Sequence, residues 1–416
     1  MALLPVAIAV AVMFYTEQTA GRVDPFPYPW APLLVQRPIE SVTPATYALV
    51  AALSAWSAAR VREAGTWELA PYRRPWRIIG QAVGPVVLLG WLMFLGSVAW
   101  AFVQHPTLPT PSSLLPLLLV AILTVAWAMF GFTVGHLVKP LIATPVLACG
   151  VFILVAFPHG MEPFSLRHLS GEYLVSLGPA ESATVESLVA QMLPTLGLVT
   201  ATGIVVWTAW NFPIRALFAL VVLIVPAVAA YGIVKDWGPN PSISLDVQLV
   251  CQGEKPQVCL PAPAMGDLPE VHAEVEKAFR IIEKFALTES LPDRVEDQLA
   301  YGRFAQENTP QTAYMQLSYT HHSRERGELT RSIVQSSVQF GCDADTQKSR
   351  TVQFWLQKKL DGIPAFEHIA SEDPYYTRAQ YDEAVAEAER TSVKSDAEQR
   401  QWLADTKAAA CQGRAS

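Results

Sequence analysis

Charge is spread too unevenly along this chain for one water-facing globule. Of its 67 Asp, Glu, Lys and Arg residues, 19 lie in residues 1–234 and 48 in residues 235–416. The first stretch is rich in Leu, Val, Ala and Trp and lacks the side chains to coat a surface in water. The second has an ordinary soluble composition. The Pro-, Gly- and Asn-rich "DWGPNPS" (236–242) marks the change. The expected organisation is an α-helical polytopic membrane domain over 1–234, a linker over 235–242 and a mixed α/β domain over 243–416.

Seven apolar runs approach or exceed the length that crosses about 30 Å of hydrocarbon. They fall at about 1–16, 42–59, 78–103, 114–135, 140–157, 186–210 and 214–234. The first is short and begins at Met1 with no basic residue ahead of it. A signal peptide is the rival reading, against which stand the missing basic n-region and the missing small-x-small cleavage site.

Orientation follows from Lys and Arg in the short loops. With the 60–77 loop inside, alternation places Arg60, Arg62, Arg73, Arg74, Arg77, Lys139 and Arg215 inside with Glu63 and Glu68, a net of +5. The outside set holds Arg22, Arg37 and Arg167 with Glu17, Asp24, Glu40, Glu162, Glu172, Glu181 and Glu186, a net of −4. The N-terminus is therefore expected in the cytoplasm of a plasma-membrane protein, and residues 235–416 outside. Cys149 lies within a run and reads as a small buried packer. Cys251, Cys259, Cys342 and Cys411 lie in the soluble domain, where an even number outside the membrane suggests two disulfides. Pairing Cys251 with Cys259 and Cys342 with Cys411 is one of three connectivities, and four free thiols are the alternative.

Between the second and third runs the chain reads "REAGTWELAPYRRPWRIIG" (62–80). Gly65-Thr66 can turn the chain and cap a short helix, with Glu68 in its first turn. The basic end suits anionic head groups or an acidic protein surface. This stretch resembles the cytoplasmic coupling loop of type-2 ABC exporter permeases, E-x-G-T-x-E-L followed by basic residues and a glycine at the start of the third span. Glu63, Gly65, Thr66, Glu68 and Leu69 match that pattern. Arg73, Arg74 and Arg77 supply the basic residues and Gly80 the glycine. Gln81 stands where the family often has Lys, and Pro71 and Pro75 stand where it usually has one proline. The resemblance covers about residues 1–210, including the long external segment 158–187 before the sixth span. The seventh run and residues 243–416 depart from it. In its "CQGEKPQVCLP" the chain also resembles actinobacterial multi-pass membrane proteins with a cysteine-containing external domain.

No G-x-x-x-x-G-K-[ST] phosphate loop occurs, so the ATPase that the resemblance implies is a separate subunit. The resemblance further implies a homodimer, or a heterodimer with a related permease. Charged residues are nearly absent from the runs, which argues against an ion-coupled carrier. His105 and His136 read as interfacial. Trp91, Trp100, Trp127, Trp207 and Trp210 read mostly as aromatic belts. "LSGEY" (169–173) reads as a chance likeness to an ABC signature in an external loop.

In the soluble domain, "LDVQLVC" and "QVCLPA" are expected as paired strands. "GDLPEVHAEVEKAFRIIEKF" is expected as a helix capped by Asp267, with Val271, Val275, Ala278, Phe279, Ile282 and Phe285 on one face. Residues 312–322 alternate like a strand, 328–340 fit strand or helix, and 346–360 and two runs in 376–411 read as helices. His321, His322 and Glu325 are the one cluster of ligand types, but adjacent histidines on a strand face opposite ways and a solvated turn is expected there. No H-E-x-x-H, G-x-S-x-G or zinc spacing occurs. The domain holds 20 Lys and Arg against 28 Asp and Glu, which disfavours nucleic acid as a partner.

These readings converge on a permease subunit of an ABC-type export system in the lipid bilayer, with no cofactor, metal or covalent chemistry of its own. The alternative is a membrane-anchored sensor or assembly protein acting through its external domain. An extracytoplasmic enzyme is a third class, for which no catalytic group is found.

Overall fold

A computed structural model of the chain describes residues 3–19, 27–65, 75–172, 177–208, 210–238, 240–287, 291–304, 306–338, 340, 342, 346–360 and 377–412. The chain forms two compact units. Met1–Arg22, Pro29–Leu177 and Glu181–Ile243 make the first, and Val23–Tyr28, Gly178–Ala180 and Ser244–Ser416 the second.

The first unit is helical: α1 (Leu3–Thr19), α2 (Ala31–Glu63), α3 (Pro75–Gln104), α4 (Leu114–Leu137), α5 (Pro140–Ala156), α6 (Val185–Trp207) and α7 (Phe212–Val234). Among the described residues, α2, α3, α4, α6 and α7 are long and apolar enough to cross a membrane. Helices α1 and α5 have 17 residues each, about 26 Å at the rise of an α-helix.

Helix α2 starts at Ala31, eleven residues before the apolar run that announces it. Arg37 and Glu40 are thus helical and not part of an external loop. Pro38 and Pro44 read as breakers in sequence, yet they sit inside a continuous helix. Apolar packing holds that helix together, with Pro38, Ile39, Val42 and Thr43 all buried, and interior prolines are tolerated in membrane helices. Helices α3, α5, α6 and α7 also carry interior prolines, at Pro85, Pro145, Pro194 and Pro226. Helix α4 has only Pro116, in its first turn.

Helix α2 is the centre of the unit. Tyr47, Val50, Ala51, Ala55 and Ala58 are fully buried. Against Ala51 and Ala55 lie Gly131 and Gly135 of α4. A Cβ on Gly131 would stand 2.1 Å from the Ala51 carbonyl oxygen, and one on Gly135 would stand 2.3 Å from that of Ala55. The two backbones therefore touch, the close approach that small residues four apart permit between membrane helices. Helix α7 is held differently. Of its residues only Ala219, Ala230 and Val234 are buried, and Gly197 of α6 brings it close to the Val222 carbonyl.

The second unit is mixed α/β. Strands β3 (Leu249–Gln252), β4 (Gln257–Pro261), β5 (Arg294–Asp297) and β6 (Thr312–Met315) form a sheet in that order. The first pair is antiparallel with Cys251 opposite Cys259, and the other two pairs are parallel. Apart from this sheet, β1 (Glu181–Ala183), in the first unit, and β2 (Ser242–Ser244), at that unit's C-terminal limit, form a two-stranded ribbon. Helix α8 (Leu268–Lys284) makes the crossover from β4 to β5, and Val271, Val275, Ala278, Phe279 and Ile282 form its buried face. Asp267 precedes it, but its carboxylate accepts from Arg324 (2.9 Å) and not from the helix backbone. Helices α9 (His321–Glu325), α10 (Glu328–Ser337), α11 (Thr346–Lys359), α12 (Arg378–Ser392) and α13 (Asp396–Gln412) follow. The strand expected over 312–322 therefore ends at Met315, and the histidine pair opens a short helix.

Cys251 is disulfide-bonded to Cys259 and Cys342 to Cys411. Cys149 is free and exposed on α5, so it is not the buried packer expected of it. Closing the 69-residue separation between Cys342 and Cys411 is worth about 4 kcal/mol in the chain-entropy account.

Three outcomes follow. Gly131→Leu should destabilise the first unit by about 3 kcal/mol or abolish its folding, because a backbone cannot yield as a side chain can. Gly203→Ala, with nothing within 4 Å of the added carbon, should be silent. Thermal melts and size-exclusion profiles of the detergent-solubilised chain read both. Cys342→Ser with Cys411→Ser should lower the melting temperature of the second unit by about 10 °C, and reductant should match that loss in the unmodified protein.

Candidate functional site

The helical unit has two chemically different ends. At one, the C-termini of α2, α4 and α6 meet. Arg62 Nη1 donates to the His136 carbonyl (2.8 Å), and the His136 ring lies 4.8 Å from that of Trp207. Trp207 Nε1 reaches Thr133 Oγ1 at 3.4 Å, and Arg215 Nη1 donates to the Val205 carbonyl (3.2 Å). Arg60, Arg77 and Lys139 adjoin the same helix ends. At the other end, Trp30 Nε1 donates to the Glu181 carbonyl (2.9 Å) and Ser242 Oγ to the Glu181 carboxylate (3.4 Å). His168 Nε2 donates to the Gly238 carbonyl (2.9 Å). Burial lowers the pKa of that imidazole, which favours the neutral form.

The coupling-loop residues fall at the basic end where they are described. Glu63 is the exposed last residue of α2. Gly65 has φ +62° and its N–H donates to the Arg62 carbonyl (3.1 Å), so it ends the helix in the left-handed conformation. Arg77 is exposed in the first turn of α3. Thr66, Glu68, Leu69, Arg73 and Arg74 lie outside the described residues.

The core near the acidic end is unexpectedly polar. Residues 170–172 fold inward, and Glu172 is 3 % exposed. A Cβ on Gly171, which has φ +83°, would meet Leu123 of α4 at 3.2 Å and Thr195 of α6 at 3.4 Å. Glu172 is therefore no surface charge on an external loop, as its sequence position suggests. Burial pushes its carboxyl well above the usual range, and the Glu40 carboxylate on α2 adds to the rise. Nearby, Tyr47 packs its ring 6.3 Å from that of Trp127. Among the described residues, Tyr47 OH, Trp127 Nε1, Glu172 Oε2 and both amide atoms of Gln191 have no hydrogen-bond partner. Trp127 is 1 % exposed and belongs to this core, not to an aromatic belt.

Beside this polar core lies a cavity of about 650 Å³ between α4, α5, α6 and α7. Its walls include Trp127, Leu154, Met161, Leu198 and Val228, and its polar groups include Ser170 and Thr195. The lining is otherwise almost wholly apolar, and the volume falls in the range of small-molecule sites.

The second unit holds tied polar networks. Asp297 is fully buried, and its Oδ1 accepts from the backbone of Leu299 (3.2 Å) and Leu317 (3.1 Å). Glu296 accepts from Arg294 and Tyr301, and Arg294 also donates to Gln257 (2.9 Å). His321 pairs with Glu325 at 3.3 Å across one helical turn. Among the described residues no three His, Cys, Asp or Glu side chains are grouped to hold a metal ion. No protein-family model, curated protein or solved structure matches this chain.

Glu172 makes the polar core testable. An acid whose pKa is raised by folding contributes its full stability below its unfolded value and loses it as pH rises toward the folded value. Glu172→Gln should therefore melt at a higher temperature than the unmodified chain at pH 8. The gap should narrow toward pH 4.5, as read by thermal unfolding in detergent across that range.

Proposed function

We propose that the chain is a permease subunit of an ABC-type export system, driven by a separate ATPase that engages residues 63–77. The observation that carries this reading is the Arg62–His136 hydrogen bond. It ties the root of the 63–77 loop to the end of α4, and α4 in turn meets α6 at Trp207. A load on the loop thus reaches two of the helices that wall the cavity. In this reading the loop transmits nucleotide-driven closure to the spans, and the cavity helices alternate between two arrangements.

The reading includes seven crossings, with the basic end in the cytoplasm. Trp30 precedes α2 and Glu181 precedes α6, and the two are hydrogen-bonded. On this reading the chain crosses the membrane an even number of times between them. Helices α2, α3 and α4 account for three crossings, so α5 supplies the fourth despite its 17 residues. Ser242, which follows α7, bonds Glu181 as well, which fits two more crossings by α6 and α7. The disulfides suit an extracytoplasmic second unit.

The second reading, a membrane-anchored sensor or assembly protein, is favoured by one feature. The second unit has its own core and two disulfides, as an independent binding domain would.

Crosslinking separates the two. A photoactivatable group attached at Thr66→Cys in native membranes should capture an ABC ATPase, and Arg62→Ala should cut transport-coupled ATP hydrolysis at least threefold with insertion unchanged. A loop reachable from the cytoplasm that captures no ATPase overturns the permease reading and leaves the sensor.

A further inference from the structure

The cavity between α4, α5, α6 and α7 has features that decide what it can hold. Its walls are apolar, which excludes a polar solute. On one side they are formed by residues on the outer faces of their helices: Leu154 is 53 % exposed, Ile224 47 % and Val228 63 %. In a bilayer those faces meet acyl chains, so the cavity opens sideways into the hydrocarbon. Its other boundary is the segment after α5, where Pro158, Met161 and Leu166 reach it. That segment belongs to the Trp30–Glu181 end, so the opening lies toward one leaflet only.

The same boundary carries polar groups. Ser170 and Thr195 line the cavity. Trp127 also lines it, is 1 % exposed, and has an indole N–H with no acceptor among the described residues. One turn before Thr195, Gln191 is fully buried with both amide atoms unpartnered. Buried polar groups normally find partners, so a ligand in the cavity that offers an acceptor would satisfy the Trp127 indole, and one with hydroxyl groups would also meet Ser170 and Thr195. Among the described residues no Lys or Arg lines the cavity. An anionic head group would therefore find no counter-charge, and the neighbouring Glu172 carboxyl, kept neutral by burial, supplies none.

We propose that this cavity binds one uncharged single-chain amphipath of monoacylglycerol type, taken laterally from the leaflet at the Trp30–Glu181 end. The acyl chain lies against Leu198 and Val228, and the hydroxylated head meets Ser170, Thr195 and the Trp127 indole. Within the export reading this amphipath is the cargo, and that role rests on the permease proposal; the binding itself does not.

The test uses the purified full chain in phosphatidylcholine nanodiscs, without any ATPase. A monoacylglycerol with a diazirine in its acyl chain is photolysed, and the adducts are mapped by peptide mass spectrometry. Labelling should concentrate on peptides spanning 154–170 and 223–231, and a tenfold excess of unlabelled monoacylglycerol should compete it away. The corresponding fatty acid at pH 8 should label at least fivefold less. Ala227→Trp fills the cavity and should cut labelling at least fivefold. Thr195→Val leaves the space open, and should remove the preference for monoacylglycerol over a diazirine alkane while labelling persists. Labelling spread evenly over all lipid-facing helices, or unchanged by a folded Ala227→Trp, overturns the proposal. So does equal labelling by the fatty acid. Failure to capture an ATPase at residue 66 would overturn the permease reading and leave this result standing.

Discussion

The helical unit depends on one contact, the seating of Gly131 and Gly135 of α4 on the backbone of α2 at Ala51 and Ala55. Lipid gives two apolar helices no hydrophobic reason to associate, so close van der Waals packing must do it. Because α2 and α4 touch at backbone distance, Tyr47 and Trp127 are brought together one turn away. The polar core forms around that pair. Helix α6 then meets α4 at Thr133 and Trp207, and α7 leans on α6 at Gly197. The cavity is the space left where this sequence of contacts reaches α7, which has few buried residues with which to close it.

Much of this was legible in the residues, and the misses share a cause. Long apolar runs announce membrane helices because nothing else accounts for so many Leu and Val without charge. The amphipathic face of α8 and the Cys251–Cys259 hairpin were equally readable, since both are local patterns with a fixed period or a fixed span. The true start of α2 was not, because prolines and charges at Arg37 to Pro44 look like loop, and only burial in the packed unit shows them to be helical. Glu172 was hidden for a stronger reason. It sits beside Gly171 in a segment with no periodicity, and only three-dimensional folding turns that segment inward. The seating of α4 on α2 did leave a trace, in the two glycines of "GFTVG" four apart and the matching alanines of α2.

The two units solve the problem of cohesion in opposite ways. The second buries an apolar helix face against a small sheet and adds covalent ties. The first has little to gain from apolar burial and instead gathers polar groups inside. A polar core in an apolar surround is costly unless it is satisfied. Its open donors and acceptors at Trp127 and Gln191 therefore mark a place where the structure asks for something more than itself.

The interior prolines divide the unit by stiffness. Each proline removes one rung of a helix's hydrogen-bond ladder, so a helix bends there at lower cost than elsewhere. Helix α4 keeps its ladder whole past the first turn, whereas α6 and α7 each lack a rung, at Pro194 and Pro226. Gly197, three residues beyond Pro194, lies against Pro226 itself, so the two weak points share one level. Helix α4 then serves as a mast, and α6 and α7 as a pair of jointed spars that flex at the same height beside it.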